Sequence, residues 1–324
     1  MTDVYITIDT EYSVGMYKRL GRACRQENFE KSIIGMTPQG DAGIGYQMDV
    51  FERHGLKAVF YVDPMPALVW GVGAIADIVL PIIERGHDVQ LHLHSEWLTF
   101  AGNANPLGNR TGQNIKDFSR GEQKILLDYA ARTLVAAGAP YPVAFRAGNY
   151  GANDDTLFAL AELGIAYDSS HCPGIAVADC AISLPKTQHR AVRHCGVTEI
   201  PIGAIGSFGG ATRHAQITAL TAQEMISAIR FAQQHDVPDF TLVSHSFELM
   251  SRDRTQINRI VKHRFEKFCA LLAALPDAPT ATFRDNLPEV EAARNPSPIL
   301  PHNYLRAGRR LIEQALSNQL YGAK

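Results

Sequence analysis

No apolar run in this chain is long enough to cross a bilayer. The longest uncharged stretch in its most apolar part, from Pro64 to Ala76, is 13 residues and holds two prolines, whereas a spanning helix needs about 20 apolar residues. The N-terminal MTDVYITIDTE has no basic start, apolar segment or small-residue cleavage site, so no secretory signal is read and the expected location is the cytoplasm. Five cysteines (Cys24, Cys172, Cys180, Cys195, Cys269) are an odd number, widely spaced and without a CxxC pair; this argues for reduced thiols over a disulfide framework or a thiolate zinc site. Neither charge sign dominates. With 31 Lys+Arg against 33 Asp+Glu, a net charge of -2 and a pI near 6.6, nothing draws the surface to nucleic acid or anionic lipid. There is no internal repeat and no low-complexity tract. What remains is an ordinary globular composition, 46% hydrophobic and 20% charged over 324 residues, enough for one large domain or two medium ones.

Short apolar or β-branched runs recur along the chain: VYITI at 4–8, KAVFYV at 57–62, DVQLHL at 88–93, PVAFR at 142–146, IAYD at 165–168, VTEIPI at 197–202, FTLVSH at 240–245 and TATF at 280–283. Helical patterns separate most of them: GYQMDVFERHG, SRGEQKILLDYAARTLVAAG, NDDTLFALAELG opening on a capping Asn153, TAQEMISAIRFAQQH and RTQINRIVKHRFEKFCALLAAL. Strands alternating with helices predict a parallel α/β architecture. Seven to eight strands suit a distorted (β/α) barrel, although a doubly wound sheet shares the periodicity. Residues 10–40 and 95–118 follow predicted strands and are too long and polar for simple βα turns, so they are read as active-site loops. From Asn295 a proline-rich linker leads to a basic amphipathic helix, RAGRRLIEQALSN, expected to pack on the barrel or on a partner subunit in a homo-oligomer. The division is a catalytic domain at 1–290 and a linker with a C-terminal helix at 291–324.

Ionisable residues stand at the C-terminal ends of several predicted strands, where (β/α) barrels place their chemistry. Strand one ends in Asp9-Thr10-Glu11, and side chains two apart on a strand point the same way. Strand three ends in His92-Leu93-His94-Ser95-Glu96, with His92 and His94 on one face. Two imidazoles and a carboxylate suit Zn²⁺ or a similar divalent ion with an open position for water. Strand four ends in Arg146-Ala147-Gly148-Asn149-Tyr150-Gly151, whose arginine can fork onto a carboxylate. Strand seven ends in His245-Ser246. Each feature alone has a structural reading, as a cap, a turn or a hydrogen-bonded histidine; the coincidence at equivalent strand ends points to chemistry.

In chain order these motifs resemble the polysaccharide deacetylase family, the NodB homology domain or carbohydrate esterase family 4-like group. TIDTE at 7–11 stands where that family has its aspartate motif and GHDVQLHLH at 86–94 where it has its histidine motif. FRAGNYG at 145–151 stands at the arginine motif and LVSH at 242–245 at the closing motif with its histidine, while LGIAYDSS at 163–170 is similar to a strand of the branch with RAG turns. The likeness covers roughly residues 3–285 and is nearer to cell-envelope sugar deacylases, such as arabinose-lipid deformylases, than to chitin deacetylases. It departs from the main pattern in two ways. Thr10 replaces the second of two adjacent aspartates, so the next acid is Glu11; and the position four beyond His92, a histidine in the family, is Glu96.

The resemblance implies a distorted (β/α) barrel, a divalent metal, Zn²⁺ first with Fe, Mn or Co as options, and removal of an N-acyl group, acetyl or formyl, from a sugar that is free, lipid-linked or nucleotide-linked. Glu11, His92 and His94 would hold the metal, with Asp9 and Glu96 as alternative ligands. Asp9 would be the base, held ionised by Arg146, and His245 the acid that protonates the leaving amine. Asp168 either orients His245 or caps the next turn. Tyr150 and Asn149 are substrate-contact candidates, and the Tyr150 amide could serve an oxyanion. The rival readings are a metal-independent amide or ureide hydrolase on the same barrel, a different metal-dependent amidohydrolase suggested by the HxH, and a catalytically inactive carbohydrate-binding relative.

Overall fold

The computed structural model describes all residues except 176–178, 286, 288–289, 291–297 and 323–324. The boundary at 290/291 and the start of the expected linker therefore fall at or within undescribed residues. Eight strands make one sheet: β1 Asp3–Thr10, β2 Val59–Val62, β3 Asp88–Leu93, β4 Ala144–Ala147, β5 Tyr167–Asp168, β6 Val192–His194, β7 Val197–Glu199 and β8 Asp239–His245. Their order is β8-β1-β2-β3-β4-β5-β7-β6, all neighbours parallel except the β7–β6 pair. Between β7 and β8 the ring is completed by a segment that adds no strand to this sheet and carries only a separate antiparallel pair, Ala204–Gly206 with Thr212–His214. Gly203 N–H donates to Thr241 O, Ala215 N–H to Gly203 O and Val243 N–H to Ala215 O. This irregular seam makes the barrel a distorted one, as the alternation of elements predicts.

The principal helices are α1 Ile44–Arg53, α2 Gly73–Glu84, α3 Arg120–Ala136, α4 Asp154–Glu162, α5 Ala222–Gln234, α6 Arg259–Ala273 and α7 Tyr304–Tyr321. Their starts are fixed by local chemistry. Ser119 with Glu122 and Thr221 with Glu224 form reciprocal capping boxes, and Asn153 and Asn258 accept from the amides of Thr156 and Val261. The Asn258 cap explains why α6 begins five residues later than the sequence pattern suggests.

Strand alternation sorts the core into two layers. Ile6, Ile8, Phe60, Val62, Leu91 and Leu93 face outward to the helices, while Tyr5, Val59, Tyr61, Ala144 and Phe283 close the inside of the barrel. Along β1 the inward face runs Tyr5, Thr7, Asp9, and along β3 it runs Asp88, Gln90, His92. The interior thus changes from an aromatic plug at the N-terminal ends of the strands to ionisable groups at the C-terminal ends.

TATF at 280–283 is not a strand. The β1–β2 pairing begins only at Thr7↔Val59, so the start of β1 has an open edge. Residues 279–281 use it, with Val4 N–H donating to Pro279 O and Ala281 N–H to Val4 O, before Phe283 turns in to stack against Tyr5 at 5.1 Å. The loop at 10–40 is largely helical, in the short segments Val14–Leu20, Arg25–Phe29 and Glu30–Ile34. The expected terminal helix is present as α7. It is held by Arg310 on Glu224 at 2.5 Å and Arg264 on Glu313 at 3.1 Å, and it leaves Leu305, Leu311, Ile312 and Leu320 exposed. Among the described residues no helix is long and apolar enough to cross a membrane.

Candidate active site

Strand register carries the strongest residues to one end of the barrel. Asp9 lies beside His245 in the β1–β8 pair, and His92 lies beside Arg146 in the β3–β4 pair. These four strand ends supply a possible cation site and two supporting ion pairs.

The cation site is Glu11, His92 and His94, whose candidate ligand atoms all lie within 4.8 Å of one another. His92 Nε2 is 3.2 Å from His94 Nε2 and 3.6 Å from Glu11 Oε2, and His94 Nε2 contacts the same carboxylate oxygen. The far side of each ring is occupied. His92 Nδ1 donates to the Arg146 carbonyl at 2.7 Å, so Nε2 is the nitrogen that faces Glu11 and His94. His94 Nδ1 faces Glu96 at 3.4 Å. Glu96 therefore stands behind His94 and outside the cluster. Such outer partners fix ring orientation and raise ligand basicity.

Burial opposes charge on Glu11, but the two imidazoles overcome it and hold the carboxyl well below its usual range. Burial likewise opposes charge on His94, and Glu11 raises its pKa well above the ordinary histidine value. The proton that sustains this contact is what a divalent cation would displace. One carboxylate oxygen and two imidazole nitrogens are a donor set suited to Zn²⁺ with an open position. A further sign of fit is Gly148: a Cβ built there would lie 2.7 Å from His94 Nδ1, so the RAG turn is shaped to let the imidazole pack on bare backbone.

Asp9 belongs to a different group. Its Oδ1 accepts from Arg146 Nη1 at 2.6 Å. Arg146 is fully buried, lies 4.3 Å over the Tyr61 ring, and also donates to Thr7 Oγ1 and to the carbonyl and hydroxyl oxygens of Ser169. Burial works against the guanidinium charge, yet Asp9 raises the Arg146 pKa above its ordinary value. This arrangement binds Asp9 in one orientation.

His245 is oriented by Glu248. Glu248 Oε2 accepts from the His245 backbone amide at 2.9 Å and lies 3.3 Å from Nδ1, leaving Nε2 as the ring nitrogen available to a substrate. Burial would lower the His245 pKa, but Glu248, with Asp9 and Glu11 farther off, raises it to about 9. Of the two roles read for Asp168, the geometry matches the cap. Its carboxylate accepts from Ser170 N–H and Oγ at 2.9 and 2.8 Å, and it lies in register with Glu199. Burial raises both carboxyls, Glu199 the more because Asp168 adds to it. Ser170 Oγ in turn accepts from Ala147 N–H, so Asp168 steadies the strand end that carries Arg146 and Gly148. Tyr150 is half-buried within electrostatic reach of Asp9 and Glu248. Asn149 is exposed and donates to Asn114; both residues have left-handed backbone, φ 55° and 56°.

Two residues of the site were not singled out from the sequence. Asp63, fully buried just beyond β2, accepts from the His94 and Met65 amides at 3.3 and 3.1 Å, and burial raises its pKa to about 6 despite the two imidazoles. The strand-end rule that finds Asp9 and His92 also applies to YVDP. Glu248, three residues after His245, has no comparable signal beyond a short H-x-x-E spacing.

The chain is thus a distorted (β/α) barrel with a His–His–carboxylate cluster and flanking ion pairs at the C-terminal ends of its strands. No family model and no curated protein sequence matches the chain. Solved structures do. A protein from Mycobacterium smegmatis described as a polysaccharide deacetylase superposes with a TM-score of 0.56 at 15% identity, over 91% of this chain and 94% of that one. The 4-α-glucanotransferase of Thermococcus litoralis superposes with a TM-score of 0.50 at 11% identity, over 90% of this chain but only 39% of that enzyme. A family 4 carbohydrate esterase from Streptomyces lividans also aligns, at 10% identity and a TM-score of 0.41, over 87% of this chain and 93% of the esterase. The chain has the NodB-like polysaccharide deacetylase fold.

Proposed function

We propose that the protein is a metal-dependent hydrolase that removes an acetyl or formyl group from the nitrogen of a carbohydrate. The observation that carries this reading is the meeting, at one barrel end, of the Glu11–His92–His94 cluster with the Asp9–Arg146 and His245–Glu248 pairs. Glu11, His92 and His94 would hold the cation, Zn²⁺ by its donor preference, with Fe, Mn or Co as other occupants. When bound, the ion supplies Lewis acidity, polarising the amide oxygen and lowering the pKa of water.

The chain's own residues do the proton work. Asp9, aimed by the Arg146 contact, takes the proton of the attacking water. His245, kept protonated by Glu248, delivers a proton from Nε2 to the amine as the C–N bond breaks. Arg146 and Glu248 are positioning residues. Tyr150 offers a hydroxyl and a ring face to the sugar, and Asn149 lies at the rim. Five free cysteines support a reducing compartment, hence the cytoplasm and a precursor sugar in preference to finished polysaccharide.

The test is elemental analysis of the purified protein beside a His92→Ala, His94→Ala double variant, followed by a screen of N-acetyl and N-formyl sugars. About one equivalent of divalent metal per chain in the parent and none in the variant is expected. No metal in either after reloading, with hydrolysis persisting, would move the reading to the metal-independent amide or ureide hydrolase.

A further inference from the structure

Next to the proposed catalytic acid lies an arginine that forms no ion pair among the described residues. His245 and Phe247 rings are 5.3 Å apart, and the guanidinium of Arg254 lies 3.7 Å over the Phe247 ring. One of its N–H groups donates to Ser32 Oγ at 2.6 Å. Among the described residues it makes no ion pair, and its other donors have no acceptor. A forked guanidinium carries five N–H donors, so most of them are open.

The nearby acids are already committed. Asp253 Oδ1 accepts from Ser251 Oγ and from the amide and hydroxyl of Thr255. Glu248 is taken by His245, Gln216 and Thr218. Arg264, on the same cavity wall, is neutralised by Glu313. The turn that presents Arg254 is closed by Arg254 N–H on Ser251 O at 2.8 Å and by Gln256 N–H on Ser251 Oγ. It holds Arg254 at φ 57°, an unfavourable conformation for a long side chain that persists only where the surroundings enforce it. Burial lowers the Arg254 pKa, and the acid whose field reaches it is Glu11 of the proposed metal centre, a charge that a bound cation would offset. Arg254 and the exposed Arg252 line a cavity of about 790 Å³ between Phe247, Glu248 and helix α7.

We propose that Arg254 is the anion-recognising arm of this site, and that the substrate is an N-acylated amino sugar carrying a phosphate or a carboxylate that seats in this cavity. The inference rests on the deacylase reading for its sugar, but not for its anion site. Stacking on Phe247 sets the plane of the fork, and a bidentate oxyanion is what such a fork selects.

The test titrates inorganic phosphate and, separately, glucuronate into the metal-loaded parent and into Arg254→Gln by calorimetry. Any affinity of the metal for either probe is common to both proteins and cancels. Loss of one charge-assisted contact weakens one of the two probes by roughly 10- to 100-fold, and which one weakens tells a phosphorylated from a carboxylated sugar. Equal affinities of both probes for parent and variant overturn the proposal. Should Arg254→Gln melt early, Arg254→Lys carries the test, since it keeps the charge and loses the fork: weaker probe binding supports the proposal and undiminished binding overturns it.

Turnover separates this proposal from the reading beneath it. With N-acetylglucosamine 1-phosphate and N-acetylglucosamine as substrates, the parent's kcat/KM preference for the phosphorylated sugar should drop in Arg254→Gln if phosphate is the anion. If the probes weaken but the parent hydrolyses no N-acyl sugar, the anion site stands and the deacylase reading falls. If sugars are hydrolysed and both probes bind the variant as they bind the parent, the anion site falls and the deacylase reading stands.

Discussion

His245 bears its proton chiefly because of one neighbour. Burial alone would discharge the ring; the Glu248 carboxylate, bonded to its backbone amide and facing Nδ1, with smaller contributions from Asp9 and Glu11, lifts its pKa from the ordinary 6.5 to about 9. A group that acts as an acid is useful below its pKa, so turnover that depends on protonated His245 should hold across neutral pH and fall as pH rises through about 9. Glu248→Gln keeps an oxygen for the amide but removes the charge. Its alkaline limb should move down toward the ordinary histidine value, leaving the variant much less active at pH 8 than at pH 6. The kcat/KM profile of parent and variant checks this, and coincident alkaline limbs would show that Glu248 does not set the proton affinity of His245.

At the scale of elements, the RAG turn after β4 is built around His94. Gly148 is the residue on which the imidazole rests, and a methyl group there would press the ring at 2.7 Å. Because β3 and β4 are locked in register through His92↔Arg146, neither strand can slide to relieve the contact. Gly148→Ala should therefore tilt His94 and cost about 10- to 100-fold in metal affinity, the usual price of disturbing a ligand's support. Competition with a chelator of known affinity measures it, and parent-like metal retention would refute the cradle. The ends of β1, β3, β4 and β8 were legible in the sequence because alternation and ionisable termini coincide there. Asp63 meets the same strand-end rule but was passed over, since no second ionisable residue stands beside it in YVDPM to mark it. Glu248 was hidden because it reaches His245 from the loop and not from a strand, and that left Asp168 as the nearest candidate partner. Of the β6–β7 hairpin only β7 was read, within VTEIPI. β6 has three residues, and the Cys195-Gly196 turn, φ 47° and 89°, lacks the Asn-Gly or Asp-Gly that announces such turns.

Across the whole molecule, βα alternation was enough to predict a parallel α/β fold, and the strand count with the family resemblance favoured the barrel, whereas its closure was not predictable: the seam at 200–217 holds only a short antiparallel pair, Ala204–Gly206 with Thr212–His214, and a few hydrogen bonds to β8. That irregularity bears on what a cation would do for stability. Glu11 comes from the end of β1, and His92 and His94 from β3 and just beyond it, with β2 lying between. A bound ion would tie together the first half of the barrel, opposite in chain order to the seam. Binding to the native state alone stabilises by RT ln(1 + [L]/Kd), about 2.7 kcal/mol at a hundredfold excess over Kd. For a chain of this size that is a rise of several degrees in melting temperature. Chelation should lower the parent's transition by that amount and reloading should restore it. The His92→Ala, His94→Ala variant, lacking two of three donors, should melt at one temperature whether or not metal is present. A variant that still gained stability from metal would mean that the stabilising ion sits elsewhere, and a parent indifferent to both treatments would leave the three donors as an ion pair and nothing more.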